Sequence, residues 1–156
     1  MLEKDDDIWG YLGRAVIAIT TSGSLTRAGK AVMGRGVARQ AVQRFPGLPE
    51  ELGGLLRQGG NHVHPLGDGL VSFPVEESAW ACPDLRLIAR SAKELRALAD
   101  REGWRTVVVP RPGCGGGGLV WKEVRPLLVE HFDSRFVVVS SAAAEARNQP
   151  EKEHAT

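Results

Sequence analysis

Cysteine, net charge and long apolar runs are all scarce in this sequence. Its 156 residues include only two cysteines, Cys82 and Cys114, which are too few for a disulfide framework. The formal net charge is +1, which predicts no general attraction to nucleic acid or to a membrane surface. No apolar stretch approaches the roughly 20 residues that span a bilayer, and the acidic N-terminus has no signal-peptide core. We therefore expect a cytoplasmic protein with free thiols and no membrane partner.

Common nucleotide and metal motifs are also missing. Neither glycine-rich segment ends in the Lys-Ser/Thr pair of a P-loop, and no G-x-G-x-x-G pattern follows the first predicted strand. Nucleoside triphosphate hydrolysis and a standard nicotinamide dinucleotide site are therefore not indicated. His62 and His64 alternate on one predicted strand, but no third ligand lies in register, so we predict no metal and no cofactor. The lack of basic–aromatic clusters argues against a nucleic-acid-binding module, the rival from another functional class.

What the sequence does contain is a regular alternation of buried-type strands and helices. Its length suits one domain, and its 42% hydrophobic residues suit a globular fold. Such alternation is typical of an α/β fold whose largely parallel sheet is covered on both faces. The polar, alanine-rich residues 141–156 are expected to form a disordered tail. The pattern predicts strands at 15–20, 62–66, 70–74, 106–109 and 135–140, and helices at 34–45, 49–58, 83–101 and 119–132.

The strongest local signal is a glycine-rich loop between a predicted core strand and the last helix. Residues 113–119, called the second loop here, contain five glycines together with Cys114 and Leu119. Glycines let the backbone approach a ligand closely, and successive N–H groups beside a helix N-terminus can line a cup for an anion. A flexible connector rarely has so many glycines at such a place. The second loop therefore predicts an anion or phosphate site.

A weaker signal of the same kind follows the first predicted strand. Thr21 and Ser22 come after this strand, and residues 33–37, called the first loop here, lead into the next helix with glycines at 34 and 36. Ligands of such folds bind outside the carboxyl ends of the strands, where both loops begin. Two such loops in one small domain can hold a diphosphate between them.

Four segments, in order along the chain, resemble the macrodomain superfamily: Asp7–Trp9, residues 20–38, Ser72–Val75 and residues 110–121. The likeness is closest to bacterial and phage macrodomains near the DNA-ADP-ribosyl glycohydrolase antitoxin and the terminal ADP-ribose protein glycohydrolase. It implies a macrodomain over residues 1–140, a three-layer α/β/α sandwich with a mixed, mostly parallel sheet. It also implies that the partner is ADP-ribose or an ADP-ribosylated macromolecule.

The resemblance further implies roles for individual residues. Asp7 is expected to accept a hydrogen bond from the adenine amino group, with the Ile8 backbone beside it; the alternative for Asp7 is a solvated residue of an acidic run. The first loop is expected to hold the distal ribose and a phosphate, and the second loop to wrap the diphosphate. The expected ligand-binding residues are Asp7, Ile8, Thr21, Ser22, Gly34, Arg35, Gly36, Val37, Gly113, Cys114, Gly115, Gly116, Gly117, Gly118 and Leu119.

The chain departs from the hydrolytic relatives at several catalytic positions. Those relatives usually carry an asparagine where this chain has Ser22 and a lysine where it has Glu76. They carry an aspartate at the position of Gly117 in one branch and of Val120 in another. These replacements favour a reader or scavenger of ADP-ribose metabolites. The alternative is an ADP-ribosyl hydrolase acting on protein, DNA or a metabolite, with Glu76 as a candidate general base or else a solvated surface residue.

Other residues near the loops have two interpretations each. Cys114 could be a nucleophile, but no histidine is near it in sequence, so packing is favoured. Trp121 is expected to pack in the core rather than to stack on the ligand. Trp80 either shapes the pocket for the distal ribose or lies free on the surface. We expect a monomer that binds ADP-ribose or an ADP-ribosylated macromolecule, and the sequence gives no direct evidence for nucleic-acid binding.

Overall fold

A parallel sheet of five strands forms the centre of the computed structural model, which describes residues 1–140. The order across the sheet is β1-β5-β4-β2-β3, and every neighbouring pair is parallel. Antiparallel pairing in these residues is limited to isolated bridges. The predicted α/β fold with a mostly parallel sheet is therefore confirmed. The strands are β1 Leu2–Lys4, β2 Val16–Ser22, β3 Leu70–Glu76, β4 Val107–Pro110 and β5 Phe136–Val139.

Four helices and one short 3-10 turn connect the strands within this part of the chain. Helix α3 begins after Asp84, whose carboxylate accepts a hydrogen bond from the Arg86 backbone N–H at 2.8 Å, and it ends before Gly103. All four predicted helices are present, with ends that differ from the prediction by up to three residues. The turn covers Ile8–Tyr11, and the helices are α1 Gly36–Arg44, α2 Leu48–Gly59, α3 Leu85–Glu102 and α4 Trp121–Val129.

Alternating side chains on the central strands build two cores, one on each face of the sheet. On β2, Ile17 and Ile19 belong to the core formed with α1, α2 and the 3-10 turn, whereas Ala18 belongs to the core formed with α3 and α4. On β4, Val108 and Val109 divide in the same way. These strands are buried on both faces, which explains their unbroken apolar runs and confirms the three-layer sandwich.

The strand predicted at residues 62–66 is wrong. The segment meets β3 only through an isolated antiparallel bridge from Pro65. The Ser72 hydroxyl accepts a hydrogen bond from the His64 backbone N–H at 2.9 Å and donates one to the His62 carbonyl at 3.1 Å. Backbone hydrogen bonds of the segment to β3 are limited to those from the Ser72 N–H to the His64 carbonyl at 2.9 Å and from the Leu66 N–H to the Leu70 carbonyl at 2.8 Å. Because the Ser72 side chain occupies the His64 N–H and the His62 carbonyl, and Pro65 lacks an N–H, no continuous ladder forms.

Strand β1 is present although the sequence carries no signal for it. All three of its residues are exposed, and Glu3 and Lys4 are charged. Parallel pairing with β5 holds this strand in place. The Glu3 carboxylate also accepts hydrogen bonds from Trp121 Nε1 at 3.1 Å and from Arg125 Nε at 2.9 Å. Tertiary contacts with α4 therefore define this edge of the sheet.

The tail expected at residues 141–156 lies outside the described residues, so the division into a domain and a tail stays a prediction. Within residues 1–140, no helix combines the length and the apolar character needed to cross a membrane.

A charged cluster ties the start of β5 to the end of α3. The Arg135 guanidinium lies 2.9 Å from the Asp133 carboxylate and 2.5 Å from that of Asp100, and Arg96 lies 3.6 Å from Asp133. The side-chain hydrogen bonds from Arg135 lower the pKa of Asp133 to about 2. Ionised Asp133 therefore stabilises the folded chain.

We expect Asp133→Asn to lower the melting temperature at neutral pH by a few degrees at most, because the cluster is partly exposed. The folded-state pKa lies below the ordinary value of 3.8, so the stabilisation is complete above that pH and is lost as the pH falls towards about 2. Melting curves of both proteins over this range test the expectation. A difference in melting temperature that is the same at every pH would contradict it.

Helix α2 presses Gly53 against the segment that leads into the first loop. A Cβ atom at this position would lie 2.2 Å from the Gly29 carbonyl oxygen and 2.9 Å from Lys30 Cα, both backbone atoms. The Ala31 backbone N–H also donates a hydrogen bond to the Pro49 carbonyl at 2.8 Å. This close approach sets where the chain enters the first loop.

We expect Gly53→Ala to destabilise the fold by about 1–3 kcal/mol, because backbone must move to admit the methyl group. The matched control is Gly54→Ala in the same helix, whose Cβ would come no closer than 3.8 Å to Arg57. Alanine is the better helix former by up to ~1 kcal/mol, so the control should be neutral or stabilising. Urea denaturation measures both free energies of unfolding, and equal values would refute the packing described.

Candidate functional site

An open cavity of about 710 Å³ lies at the carboxyl ends of β2, β3 and β4. Its wall is formed by the end of β2, by residues 32–38, by the loop after β3 and by the second loop. The first and second loops, which are far apart in sequence, thus face one space. Its volume lies in the range of roughly 300–1,000 Å³ that is typical of small-molecule sites.

Most of the predicted ligand-binding residues line this cavity, but some do not. Those in the lining are Thr21, Ser22, Gly34, Arg35, Gly36, Val37, Gly113, Gly115, Gly116 and Gly117. Those outside it are Asp7, Ile8, Cys114, Gly118 and Leu119. The roles expected for both groups stay predictions.

The end of β2 brings two buried polar residues to the cavity. Thr21 and Ser22 are 5% and 6% exposed, and the β2–β3 register shifts between them so that Ser22 pairs with Glu76. The Ser22 hydroxyl accepts a hydrogen bond from the Ser24 backbone N–H at 3.4 Å. Such an irregularity changes the direction of a strand and is frequent next to active sites.

The first loop leads directly into α1. Met33 is buried, Gly34 is exposed, and Arg35 precedes the helix with an extended backbone and no capping hydrogen bond from its side chain. The first N–H groups of α1 therefore have no cap from Arg35 at the cavity wall. A helix N-terminus in this state favours an anionic group.

Close packing holds the second loop in one shape. Gly113 has a φ of +73°, and a Cβ there would lie 2.7 Å from Leu119 Cδ1. A Cβ at Gly117 would lie 2.7 Å from both the Gly113 carbonyl oxygen and Pro83 Cγ. The Leu119 backbone N–H closes the loop with a hydrogen bond of 2.9 Å to the Gly113 carbonyl. Only glycine fits where the loop touches itself and Pro83, which lies two residues before α3.

Cys114 and Leu119 are partly buried against the core that contains α3 and α4. The Cys114 thiol lies 3.5 Å from the Pro112 carbonyl oxygen. These two side chains attach the second loop to that core, while Gly115 and Gly116 are exposed to solvent.

Asp7 and Ile8 lie at the 3-10 turn, which packs against β2 and β4. The exposed Asp7 carboxylate accepts a hydrogen bond from the Trp9 backbone N–H at 3.1 Å. Ile8 is 3% exposed and belongs to the same core as Met33 of the first loop. The turn is therefore connected to the first loop through the core, although it does not line the cavity.

Glu76 is the only acidic residue among the described residues that line the cavity, and Arg35 and Arg111 are the basic ones. The Glu76 side chain is 19% exposed, and its carboxylate lies 3.8 Å from the Arg35 guanidinium. Burial raises the pKa of Glu76, and the positive charge of Arg35 opposes this effect. The cavity thus combines a half-buried carboxylate with a largely exposed cation.

Residues 79–83 form a part of the wall that the sequence does not predict, apart from Trp80. The Ala79 backbone N–H donates a hydrogen bond to the Ser24 hydroxyl at 2.7 Å, and its carbonyl accepts one from Arg35 at 3.0 Å. Trp80, the next residue, is 85% exposed. The one sequence feature that could have indicated this part of the wall is Trp80 itself, a tryptophan in a polar segment just before a predicted helix.

The remaining candidates from the sequence have structural partners. His62 Nδ1 lies 2.8 Å from the Glu94 carboxylate, and His64 Nε2 lies 2.9 Å from the Gly60 carbonyl oxygen. Residues 1–140 contain no cluster of three potential metal ligands. Trp121 packs partly buried against the core of α3 and α4 and bonds to β1 as described above. The Arg111 guanidinium stacks over its ring at 4.8 Å.

Comparison with known proteins gives a consistent result at the level of the fold. The sequence matches no protein-family model and has no significant match among curated proteins. The structure, however, is similar to the macrodomain of Mycobacterium tuberculosis DarG, with a TM-score of 0.70 and 24% identity over 90% of this chain and 99% of that one. The macrodomain of Thermus aquaticus DarG also has a TM-score of 0.70, with 20% identity over 90% of this chain and 97% of that one.

A third similar structure is Thermosipho africanus DarTG, solved in complex with ADP-ribose. Its TM-score is 0.67 and its identity 19%, over 88% of this chain and 40% of that chain. The order of strands, the two helical layers and these similarities agree, and the chain has the fold of the macrodomain superfamily.

Proposed function

We propose that this protein binds ADP-ribose or ADP-ribosyl groups, as a reader or scavenger of ADP-ribose metabolites. The observation that carries the proposal is that two glycine-rich loops, after neighbouring parallel strands, line a single cavity. The macrodomain fold supports it by analogy, since one protein of similar structure is solved with ADP-ribose.

In this proposal the diphosphate lies between the two loops. The N-terminus of α1 and the N–H groups of the second loop donate to its oxygens, and Arg35 and Arg111 supply positive charge. Asp7 and Ile8 meet the adenine beyond the edge of the cavity. The distal ribose then extends towards Thr21, Ser22 and the end of β3.

The second candidate function is hydrolysis of an ADP-ribosyl bond. The observation in its favour is Glu76, a carboxylate in the wall of the cavity, where burial raises its pKa. Turnover of labelled ADP-ribosylated substrates that disappears in Glu76→Gln would establish this activity. We also propose a cytoplasmic location and a monomeric state.

Titration calorimetry with free ADP-ribose tests the proposal directly. We expect saturable heat with one site per chain. ADP and ribose 5-phosphate, which each carry part of the ligand, should bind more weakly because they occupy only part of the cavity. Folded protein that gives no heat at millimolar ADP-ribose would refute the proposed function.

We expect Gly34→Ala to weaken ADP-ribose binding by about 10- to 100-fold, the cost of roughly 1–3 kcal/mol for forcing an extra methyl group into a filled space. A Cβ at this position meets no protein atom within 4 Å, so the fold should be unaffected. Any loss of affinity then indicates a steric contact between the added methyl group and bound ADP-ribose.

The matched control is Gly47→Ala, because a Cβ there also meets no protein atom within 4 Å and the residue lies outside the cavity. Its affinity for ADP-ribose should equal that of the unchanged protein. Equal affinities of the Gly34→Ala and Gly47→Ala proteins would show that no ligand atom approaches the first loop.

A further inference from the structure

The end of the cavity at β3 carries a negative charge, that of the Glu76 carboxylate. β3 is the edge strand of the sheet, and its last residue is Glu76. The two loops proposed to hold the diphosphate follow β2 and β4, which are the next two strands. The half-buried carboxylate therefore lies to one side of the diphosphate site.

The backbone of Glu76 is held in place by two hydrogen bonds. Its carbonyl accepts one from Asn61 Nδ2 at 3.1 Å and one from the Gly23 backbone N–H at 3.3 Å. Gly23 fits tightly here, because a Cβ would lie 2.7 Å from the Glu77 carbonyl oxygen. The carboxylate thus extends from a rigid point of the wall, as a recognition group requires.

An exposed aromatic ring, that of Trp80, lies four residues after Glu76 in the loop that follows β3. Trp80 lines the cavity, and 85% of its surface is accessible. The backbone N–H of the preceding residue, Ala79, donates a hydrogen bond to the Ser24 hydroxyl at 2.7 Å, and this bond does not involve Arg35. A carboxylate and an accessible tryptophan that line the same cavity can bind a planar cation, through an ion pair and a cation–π contact.

The proposed orientation of ADP-ribose brings its reactive end to these two residues. The 3-10 turn with Asp7 packs against β2 and β4, the strands that precede the two loops, whereas Glu76 ends β3 at the edge of the sheet. A ligand with its adenine at that turn has its distal ribose towards Glu76. Whatever is attached to the anomeric carbon of that ribose then meets Glu76 and Trp80.

Resting on the proposed function, we propose that Glu76 and Trp80 form a subsite for a planar cation attached to the anomeric carbon of ADP-ribose. The guanidinium of an ADP-ribosylated arginine has this chemistry, and so does the pyridinium of an oxidised nicotinamide dinucleotide. A neutral acceptor such as ADP-ribosylserine gains nothing from the carboxylate.

Arg35 explains how the subsite becomes free for a cation. Its guanidinium lies 3.8 Å from the Glu76 carboxylate, a long contact made by a side chain that is 64% exposed. The diphosphate carries two negative charges and lies beside the first loop, to which Arg35 belongs. Arg35 turns to the phosphates, and the carboxylate then needs a new positive partner, which the acceptor group provides.

The test compares ligands that differ only in the group on the anomeric carbon. Calorimetry is performed with free ADP-ribose, with one peptide ADP-ribosylated on arginine or on serine at the same position, and with NAD⁺ and NADH. The last pair differs in the positive charge of the nicotinamide ring. We expect the cationic member of at least one pair to bind about tenfold more tightly than its neutral counterpart.

Substitutions then assign the preference to the subsite. Glu76→Gln should reduce the affinity ratio of cationic to neutral ligand to about one, and Trp80→Ala should reduce it several-fold while Trp80→Phe retains most of it. Glu77→Gln is the matched control, because Glu77 is exposed and does not line the cavity. The ratio in this control should not change.

The outcomes separate this inference from the proposed function. Preference for the arginine-linked peptide alone identifies a protein acceptor, and preference for NAD⁺ over NADH identifies a dinucleotide; either supports the subsite when Glu76→Gln abolishes it. Binding of free ADP-ribose without any preference for a cation overturns the subsite and leaves the proposed function intact. Absence of binding to every ligand overturns both.

Discussion

The parallel alignment of β4, β2 and β3 is the constraint on which the cavity depends. Because the three strands run in the same direction, the chain leaves each of them at one edge of the sheet. The first loop, the loop with Glu76 and Trp80, and the second loop must therefore emerge side by side. If one of these strands ran in the opposite direction, its loop would lie at the far edge, and no shared cavity would form.

The loops keep their shapes because neighbouring segments pack tightly against their backbones. Gly53 of α2 contacts the segment before the first loop, and Gly117 of the second loop contacts Pro83, two residues before α3. Neither contact leaves space for a Cβ atom, so each glycine is required for packing and not only for flexibility. Because the two glycine-rich segments are already ordered by packing, they lose less conformational entropy when a ligand binds.

The sequence predicted the regular elements well and their exceptions poorly. Helices α1 to α4 and the buried strands were predictable because apolar spacing and chain-breaking residues are local signals. Strand β1 was not, since its exposed residues are held by pairing with β5 and by contacts of Glu3 with α4. The strand expected at residues 62–66 does not form because the Ser72 hydroxyl occupies the His64 N–H and the His62 carbonyl, and Pro65 has no N–H to pair.

By itself, the sequence determined the alternation of strands and helices and the positions of two glycine-rich loops. These features follow from the conformational preferences of neighbouring residues. The tertiary structure alone decided that both loops line one cavity and that Arg35 approaches Glu76. It also decided that Trp80 is exposed at the wall while Cys114 and Leu119 are partly buried. The physical reason is that such contacts join residues far apart in the chain, such as Arg35 and Ala79, whose approach depends on the order of strands in the sheet.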